Sequence, residues 1–572
     1  MIHFDGVTFT YDGATAPALQ DLRLDVSADE FVLVLGPAGS GKSTLLRCLN
    51  GLIPHRIPGK LRGRVTVAGR DVAHHDVYQM AELVGLVFQD PEAQFVMLYV
   101  EDEVAFGLEN LCYPRSVMWP RVRQALEQVG LTHKLGARLD RLSGGEKQKV
   151  ALASVLAMHP RVLALDAPTA HLDPKSAHEF WGLMRRLRAT GGRTIIAVEH
   201  RVDELLDVAD RLVVLDHGGQ VVLDMPPRHV GLQANVATLR ALGVWVPQVW
   251  ELAAVLGVDD PAPATLDELF EAAHLRLAAI SPSPEASPGR TDSGTPPLVR
   301  ARKLSYTYPD GTQALHDITL DVQEGDFCAL VGRNGAGKTT LARLMAGVLV
   351  PPPGTLFLAG RDLAGLSPRE IAAHVGYVFQ NPEHQFVATT LFDELAYSLR
   401  VRGVEEATVR RRVFEFLERF GLDDHMAAHP FELSRSQQRL LSVAAVLIAE
   451  PRLLILDEPT LALDRTSATA LMDHLRTLNQ NGTTILLITH DMQLVAEYVR
   501  TAVVMARGDV LFHGPVHQLF GRPDVLEAAA LRPPLAVALS LRARAWNAHF
   551  PLLLTASEWD GLLAPTRPPA RK

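Results

Sequence analysis

Leu35–Leu46 reads LGPAGSGKSTLL, and Val331–Ala342 reads VGRNGAGKTTLA. Both fit G-x-x-x-x-G-K-[S/T], each directly after an apolar run (FVLVL, CALV) and directly before a helix-forming one (STLLRCL, TTLARLM). A strand, a glycine loop and a helix in that order let backbone N–H groups wrap a chain of phosphates. The positive end of the helix then adds to the hold. Gly36, Pro37, Ala38, Gly39, Ser40, Gly41, Lys42, Ser43 and Thr44 are therefore expected to bind a nucleoside triphosphate. The same is expected of Gly332, Arg333, Asn334, Gly335, Ala336, Gly337, Lys338, Thr339 and Thr340. Lys42 and Lys338 are expected to reach the β and γ phosphates, with the Ser43 and Thr339 hydroxyls on Mg²⁺. A bare glycine turn could explain one such loop, but not the same context met twice.

The loop is one of five motifs that recur. The two copies lie 296 residues apart, VFQDPEAQF (Val87–Phe95) and VFQNPEHQF (Val378–Phe386) lie 291 apart, and His200 and His490 lie 290 apart. Leu142–Ser143 and Leu433–Ser434, like Asp166 and Asp457, are also separated by 291. So steady an offset means that a whole unit is duplicated. The five-residue loss of register falls where RIPGKLRG lengthens the first copy.

Within each copy, strand-like segments alternate with helical ones, which predicts a mostly parallel, helix-covered sheet. Glu101–Arg141 and Leu391–Glu432 instead read as consecutive helices. Ser281–Pro297, SPSPEASPGRTDSGTPP, reads as a flexible linker. The expected division is 1–225 and 298–514 as two nucleotide-binding domains, 226–280 and 515–572 as helical C-terminal tails, and 281–297 as the linker.

Val162–Pro174 (VLALDAPTAHLDP) and Leu453–Arg465 (LLILDEPTLALDR) are apolar strands ending in an aspartate. Asp166 and Asp457 are expected to serve Mg²⁺. Glu458 follows the second aspartate, where a phosphate-hydrolysing site would keep its general base, and the first copy has Ala167 there. Gln89 and Gln380 can place a side-chain oxygen on the metal or on the attacking water. His200 and His490 follow apolar strands, where an imidazole could hold the γ-phosphate. Tyr11 and Tyr308 could stack on a base, or serve as hairpin aromatics.

LSGGEKQ (Leu142–Gln148) supports two compatible readings. Ser143 and Glu146 form an S-x-x-E capping box, a helix start. Gly144 and Gly145 also allow close approach to a phosphate. The second copy reads LSRSQQR (Leu433–Arg439): Ser434 and Gln437 keep the box, but Arg435 and Ser436 replace both glycines.

Composition narrows the class. A formal net charge of −9 argues against a general nucleic-acid binder. Three scattered cysteines without a CxxC pair argue against a disulfide framework or a zinc or iron–sulfur site, and suit a reducing cytosol. The N-terminus carries no leader pattern. No apolar run reaches the roughly 18–20 residues of a membrane helix, so work at a membrane would need a partner.

Together these motifs resemble the ABC ATPase superfamily in two copies. The resemblance implies an α/β fold: two P-loop domains, each with a RecA-like core, an antiparallel β-subdomain, a helical subdomain and a short helical tail. It also implies ATP and Mg²⁺ as ligands, with Walker A, Q-loop, LSGGQ-type signature, Walker B, D-loop (Asp173, Asp464) and H-loop all identifiable. FQDPEAQF and FQNPEHQF, followed by EDEVAFG and FDELAYS, are similar to the energy-coupling-factor (ECF) and cobalt-type importer ATPases. That branch implies a place at the cytoplasmic face of the membrane, a membrane T component, and an S component that binds a vitamin or a transition-metal ion.

Members of the family pair their domains head to tail. One composite site would then join Lys42, Asp166, Ala167 and His200 to Ser434–Ser436. The other would join Lys338, Asp457, Glu458 and His490 to Ser143, Gly144 and Gly145. Both departures fall in the first, which implies one hydrolytic site, with Glu458, His490, Gln380 and Lys338 as its catalytic set, and one slow site. Glu101–Glu103 and Asp393–Glu394 could receive basic helices of the membrane partner, or simply favour helix N-termini. A soluble tandem ATPase of ribosomes or DNA, and a sugar-type importer, are the competing classes. A short Pro/Ser-rich linker and the absence of zinc or iron–sulfur cysteines weigh against the former, and the FQxPExQF pair against the latter.

Overall fold

The computed structural model describes residues 1–170, 172–258, 261–278, 297–461 and 463–563. Apart from Pro297, the expected linker lies outside the described residues. So do His171 and Ala462 in the two aspartate loops, and residues 564–572 of the second tail. Contacts divide the chain into two compact units, Met1–Ala279 and Ile280–Lys572.

The first unit is built on a six-stranded sheet. Its order is Val221–Met225, Arg211–Leu215, Phe31–Leu35, Thr194–Val198, Val162–Asp166 and Val84–Val87. The last five run parallel, and only the edge strand Val221–Met225 pairs antiparallel. Every residue of Phe31–Leu35, Val162–Asp166 and Thr194–Val198 is buried. Alternate side chains point to opposite faces, so both faces are covered, and the sequence reads as unbroken apolar runs for that reason.

A second sheet of four antiparallel strands stands beside it, in the order Leu19–Val26, Ile2–Tyr11, Gly59–Val67, Arg70–Asp71. Here burial alternates: Ile2, Phe4, Val7 and Phe9 point inward while His3 and Asp5 face solvent. The helical segment is also as expected, with Val100–Asn110 and Arg115–Gln128 packed against Gly144–Ala157.

The second unit repeats this plan, with strand order Val375–Val378, Leu453–Asp457, Thr484–Ile488, Phe327–Val331, Thr501–Ala506, Asp509–Pro515. The copies differ where the sequence loses register. Gly59–Val67 pairs with Ile2–Tyr11 from Ile2 to Tyr11, with one shift between Asp5 and Thr8, whereas its counterpart Leu356–Leu358 meets Val299–Thr307 only at Val299, Arg300 and Ala301. The extra residues of the first copy extend a strand and do not form a loop.

Each unit ends in helices held by a buried tryptophan. Trp250 donates to the Pro263 carbonyl at 3.0 Å, and Trp559 to the Ala536 carbonyl at 3.1 Å. Parallel strands finish on one edge of their sheet, and that edge is where an open α/β sheet gathers its ligand loops.

Candidate nucleotide site in each unit

Four adjacent parallel strands deliver the expected residues to the carboxyl edge of the first sheet. Phe31–Leu35 leads into Gly36–Ser43, Thr194–Val198 into Glu199 and His200, Val162–Asp166 into Ala167, and Val84–Val87 into Phe88 and Gln89. In the second unit the same positions hold Gly332–Thr339, Thr489 and His490, Glu458, and Phe379 and Gln380.

The glycine loops have the shape predicted for them. Gly41 and Gly337 adopt φ of 81° and 96° at the start of the following helices. A Cβ on Gly41 would lie 2.1 Å from the Ala18 carbonyl, and one on Gly337 would lie 2.7 Å from that of Ala314. Backbone handedness and close approach both demand glycine there. Lys42 Nζ donates to the carbonyls of Gly36 (2.7 Å) and Pro37 (2.6 Å), and Lys338 Nζ to those of Gly332 (2.7 Å) and Arg333 (2.9 Å). Each ammonium is thereby held at the mouth of its own loop.

The proposed metal residues meet. Ser43 Oγ donates to Asp166 Oδ1 at 2.9 Å, and Thr339 Oγ1 to Asp457 Oδ2 at 3.2 Å. A hydroxyl and a carboxylate side by side are the hard oxygen donors that a small divalent cation prefers, so these residues fit Mg²⁺. Burial raises the Asp166 carboxyl above its ordinary range. Burial, with the neighbouring Glu458 charge second, pushes that of Asp457 up to about 6. Tyr377 adds a hydroxyl on Asp457 Oδ2 at 3.3 Å, where the first copy has Leu86. Gln89 and Gln380 begin the loops beside these pairs.

Tyr11 and Tyr308 lie against the glycine-loop helices, their hydroxyls 2.8 Å from Thr44 Oγ1 and 3.0 Å from Thr340 Oγ1. The Thr44 and Thr340 hydroxyls are thus engaged with tyrosine. Each ring packs edge-on against a second aromatic, Phe9 at 4.9 Å and Tyr306 at 5.2 Å.

The copies diverge at the base position. Glu458 Oε1 lies 2.7 Å from His490 Nδ1, and Oε2 accepts from Thr489 Oγ1 at 3.2 Å. In the first unit the buried carboxylate is instead Glu199. Its Oε1 accepts from Thr169 N (3.1 Å) and Thr169 Oγ1 (2.7 Å), and burial pushes its pKa up to about 7. The backbone at Ala167 and Glu458 is left-handed in both, φ 42° and 50°. The turn is therefore kept whichever side chain it carries.

The signature residues stand elsewhere in each unit, at the start of a helix of the helical subdomain. Ser143 and Glu146 close the predicted capping box of Gly144–Ala157, and Ser434 and Gln437 that of Arg435–Leu447. A Cβ on Gly144 would meet nothing within 4 Å, whereas one on Gly145 would lie 3.0 Å from Ser176 Oγ. Ser143–Gly145 are not part of the sheet edge that gathers the other residues.

The acidic docking residues need correcting. Glu103 and Glu394 are buried, and each accepts two backbone N–H groups of the loop before it: Val96 and Met97, Val387 and Ala388. Asp393 pairs with Arg400. Glu103 and Glu394 staple loops, which leaves Glu101, Asp102 and the ion-paired Asp393 at the surface.

Other important residues escaped the sequence reading. Gln94 Oε1 accepts from Phe88 N at 3.2 Å while its Nε2 donates to Ala151 O and Ser154 Oγ; Gln385 links Phe379 N to Ser442 O. Their recurrence in FQxPExQF was the available signal. Arg439 is 3% exposed and donates to the carbonyls of Phe379 (2.7 Å) and Gln380. Burial pulls its pKa down to about 10 against the opposing charges of Glu458 and Asp457. The first copy has Gln148 there, with one 3.4 Å bond to Phe88 O.

Comparison with known proteins agrees with this geometry. A family model described as ABC transporter matches residues 19–170 and 315–461. A Methanosarcina acetivorans protein named as an ABC transporter ATP-binding protein is 39% identical over 579 residues, 98% of this chain and 93% of that protein. A Bacillus subtilis protein named as an HMP/thiamine import ATP-binding protein is 36% identical over 542 residues, 94% of this chain and 95% of that one. The solved structure of cbiO1 from Clostridium perfringens, described as part of the ABC transporter complex cbiONQ, aligns at 30% identity with a TM-score of 0.38. The alignment covers 44% of this chain and 98% of that one. With a matching stretch in each half and relatives similar along nearly its whole length, the chain belongs to the ABC transporter family and is an ATP-hydrolysing, ATP-binding protein of tandem form.

Proposed function

We propose that the chain is the ATPase of an ECF-type importer, in which the second unit's Walker residues run the cycle and the first unit's bind ATP with slow turnover. The observation that carries this is the Glu458–His490 contact of 2.7 Å beside the Thr339–Asp457 pair, set against Ala167 in the other copy. Glu458 takes a proton from the attacking water, and His490 orients that carboxylate and faces the γ-phosphate. Lys338 turns from its loop carbonyls to the phosphates, and Gln380 places the water. Thr339 and Asp457 would hold Mg²⁺, as Ser43 and Asp166 would in the first unit; the ion, when bound, neutralises phosphate charge. Tyr11 and Tyr308 flank the base of the nucleotide.

The head-to-tail pairing of this family would place the intact Ser143–Gly145 signature on the second unit's nucleotide and the altered Ser434–Ser436 on the first. That both losses would fall on one site supports the asymmetry. Import is supported by the FQxPExQF motifs and by the likeness to the Bacillus subtilis protein named for HMP/thiamine import. Exposed apolar side chains on the helical subdomains, among them Leu98 and Val387 at 66% each, suit a membrane-embedded partner. Co-expressed with a membrane T component and S component of an ECF-type importer, the chain is expected to co-purify with them from detergent-solubilised membranes. Co-sedimentation with ribosomes instead would refute the import reading.

Arg439→Gln brings in the residue that the first unit uses at the same place, so it fits the fold. It replaces two charge-assisted bonds to the turn that carries Gln380 with at most one neutral amide bond, a net loss of about 1.5–3 kcal/mol. Maximal turnover is expected to fall roughly tenfold, with KM for ATP nearly unchanged, in steady-state ATPase assays. An unchanged kcat would show that the Arg439 bonds do not place Gln380.

A further inference from the structure

In each unit one carboxylate ties the loop after the Walker B strand to the loop after its neighbour, but from opposite strands. In the second unit Glu458 follows Leu453–Asp457 and reaches across to Thr489 and His490. In the first, Glu199 follows Thr194–Val198 and reaches back to both the N–H and the hydroxyl of Thr169, while its Oε2 accepts from His200 N at 3.3 Å. The strands share one register. Asp166 pairs with Val198 and Asp457 with Ile488, and the N–H groups of Ala167 and Glu458 each donate to the strand opposite at 2.9 Å.

Position 199 therefore faces 167 as 489 faces 458. Ala167 is 2% exposed and Glu199 4%. A second carboxylate at 167 would stand about one strand spacing, roughly 4.8 Å, from the first, with little water to screen the repulsion. The segment so held matters beyond itself. Four residues after Thr169 comes Asp173, whose Oδ1 caps the following helix through Ser176 N at 2.9 Å, and Ser176 abuts the signature glycine Gly145.

We propose that Glu199 is a positioning residue that makes, from the opposite strand, the tie Glu458 makes in the second unit, and that Ala167 and Glu199 form a coupled pair. The coupling leaves no room for a carboxylate at 167 while Glu199 is present. The first unit keeps the inter-strand tie and loses only the base. This deepens the reading of Glu458 as the base and rests on it.

The test uses the full chain carrying Glu458→Gln, with melting temperature and residual ATP turnover as readouts. Glu199→Gln keeps an oxygen for Thr169 and is expected to melt within about 1 °C of the parent, whereas Glu199→Ala and Ala167→Glu each lower the midpoint by about 2–4 °C or more. Adding Glu199→Thr, the second unit's residue, to Ala167→Glu is expected to restore the parent value. The proposal fails if Glu199→Ala melts like Glu199→Gln, or if Ala167→Glu alone melts like the parent. It fails too if Glu199→Thr gives no rescue. Residual turnover is expected to survive Glu199→Gln; a tenfold loss would make Glu199 a base and overturn the positioning role. Failure of the underlying reading shows separately, as Glu458→Gln alone keeping most of the unsubstituted chain's turnover.

Discussion

Glu458→Gln is expected to lower steady-state ATP turnover by about 10²–10⁴, the usual effect of removing a general base, while ATP binding is retained. The substitution keeps the side chain's shape, so the left-handed turn at φ 50° has no new demand placed on it. The same left-handed turn occurs at Ala167, φ 42°, so its backbone shape does not require a carboxylate at that position. What is lost is proton acceptance next to His490 Nδ1, 2.7 Å away. Phosphate release and fluorescent-nucleotide binding, measured on one preparation, separate the two effects. Turnover within threefold of the unsubstituted chain would end the single-base model, and lost binding would reassign Glu458 to the nucleotide pocket.

Trp559→Ala is expected to destabilise the second unit by about 3–5 kcal/mol, the range for deleting a buried aromatic. Trp559 is fully buried at 0% exposure, packs on Phe550 with centroids 5.4 Å apart, and donates to Ala536 O. That carbonyl keeps a second donor, Ser540 Oγ at 3.0 Å, so most of the effect comes from the cavity and little from an orphaned acceptor. Urea denaturation should show an early transition assigned to the tail, with ATP turnover retained at low urea. A denaturation curve that does not move would mean that the tail helices are not held by this residue.

Much of this was legible in the sequence because it is local. Glycine loops, capping boxes and five-residue apolar strands announce themselves through chain-neighbour geometry, and duplication doubled each signal. The Ser43–Asp166 and Thr339–Asp457 pairs were also foreseeable, since loop and strand end are fixed by one sheet. Side chains that act across elements were hidden. Glu103 and Glu394 looked like a docking surface because a helix start rich in acids is a common pattern, yet burial turned two of those acids inward. That Glu199 faces Ala167 depends on strand register, which no spacing records. Arg439 could have been found as the one cation where the other copy has Gln148, but its carbonyl partners lie 59 and 60 residues away.

Gln94 and Gln385 have a mechanical consequence. Each amide grips the sheet edge with its oxygen and the long helix of the helical subdomain with its nitrogen. It works as a linkage pin, in which one rigid planar group bridges two elements. A swing of the helical arm pulls on Phe88 N or Phe379 N, and the next residue along is Gln89 or Gln380. A push on the arm and a shift of the glutamine next in the chain would then be coupled through the two bonds, Oε1–Cδ and Cδ–Nε2, of one side-chain amide.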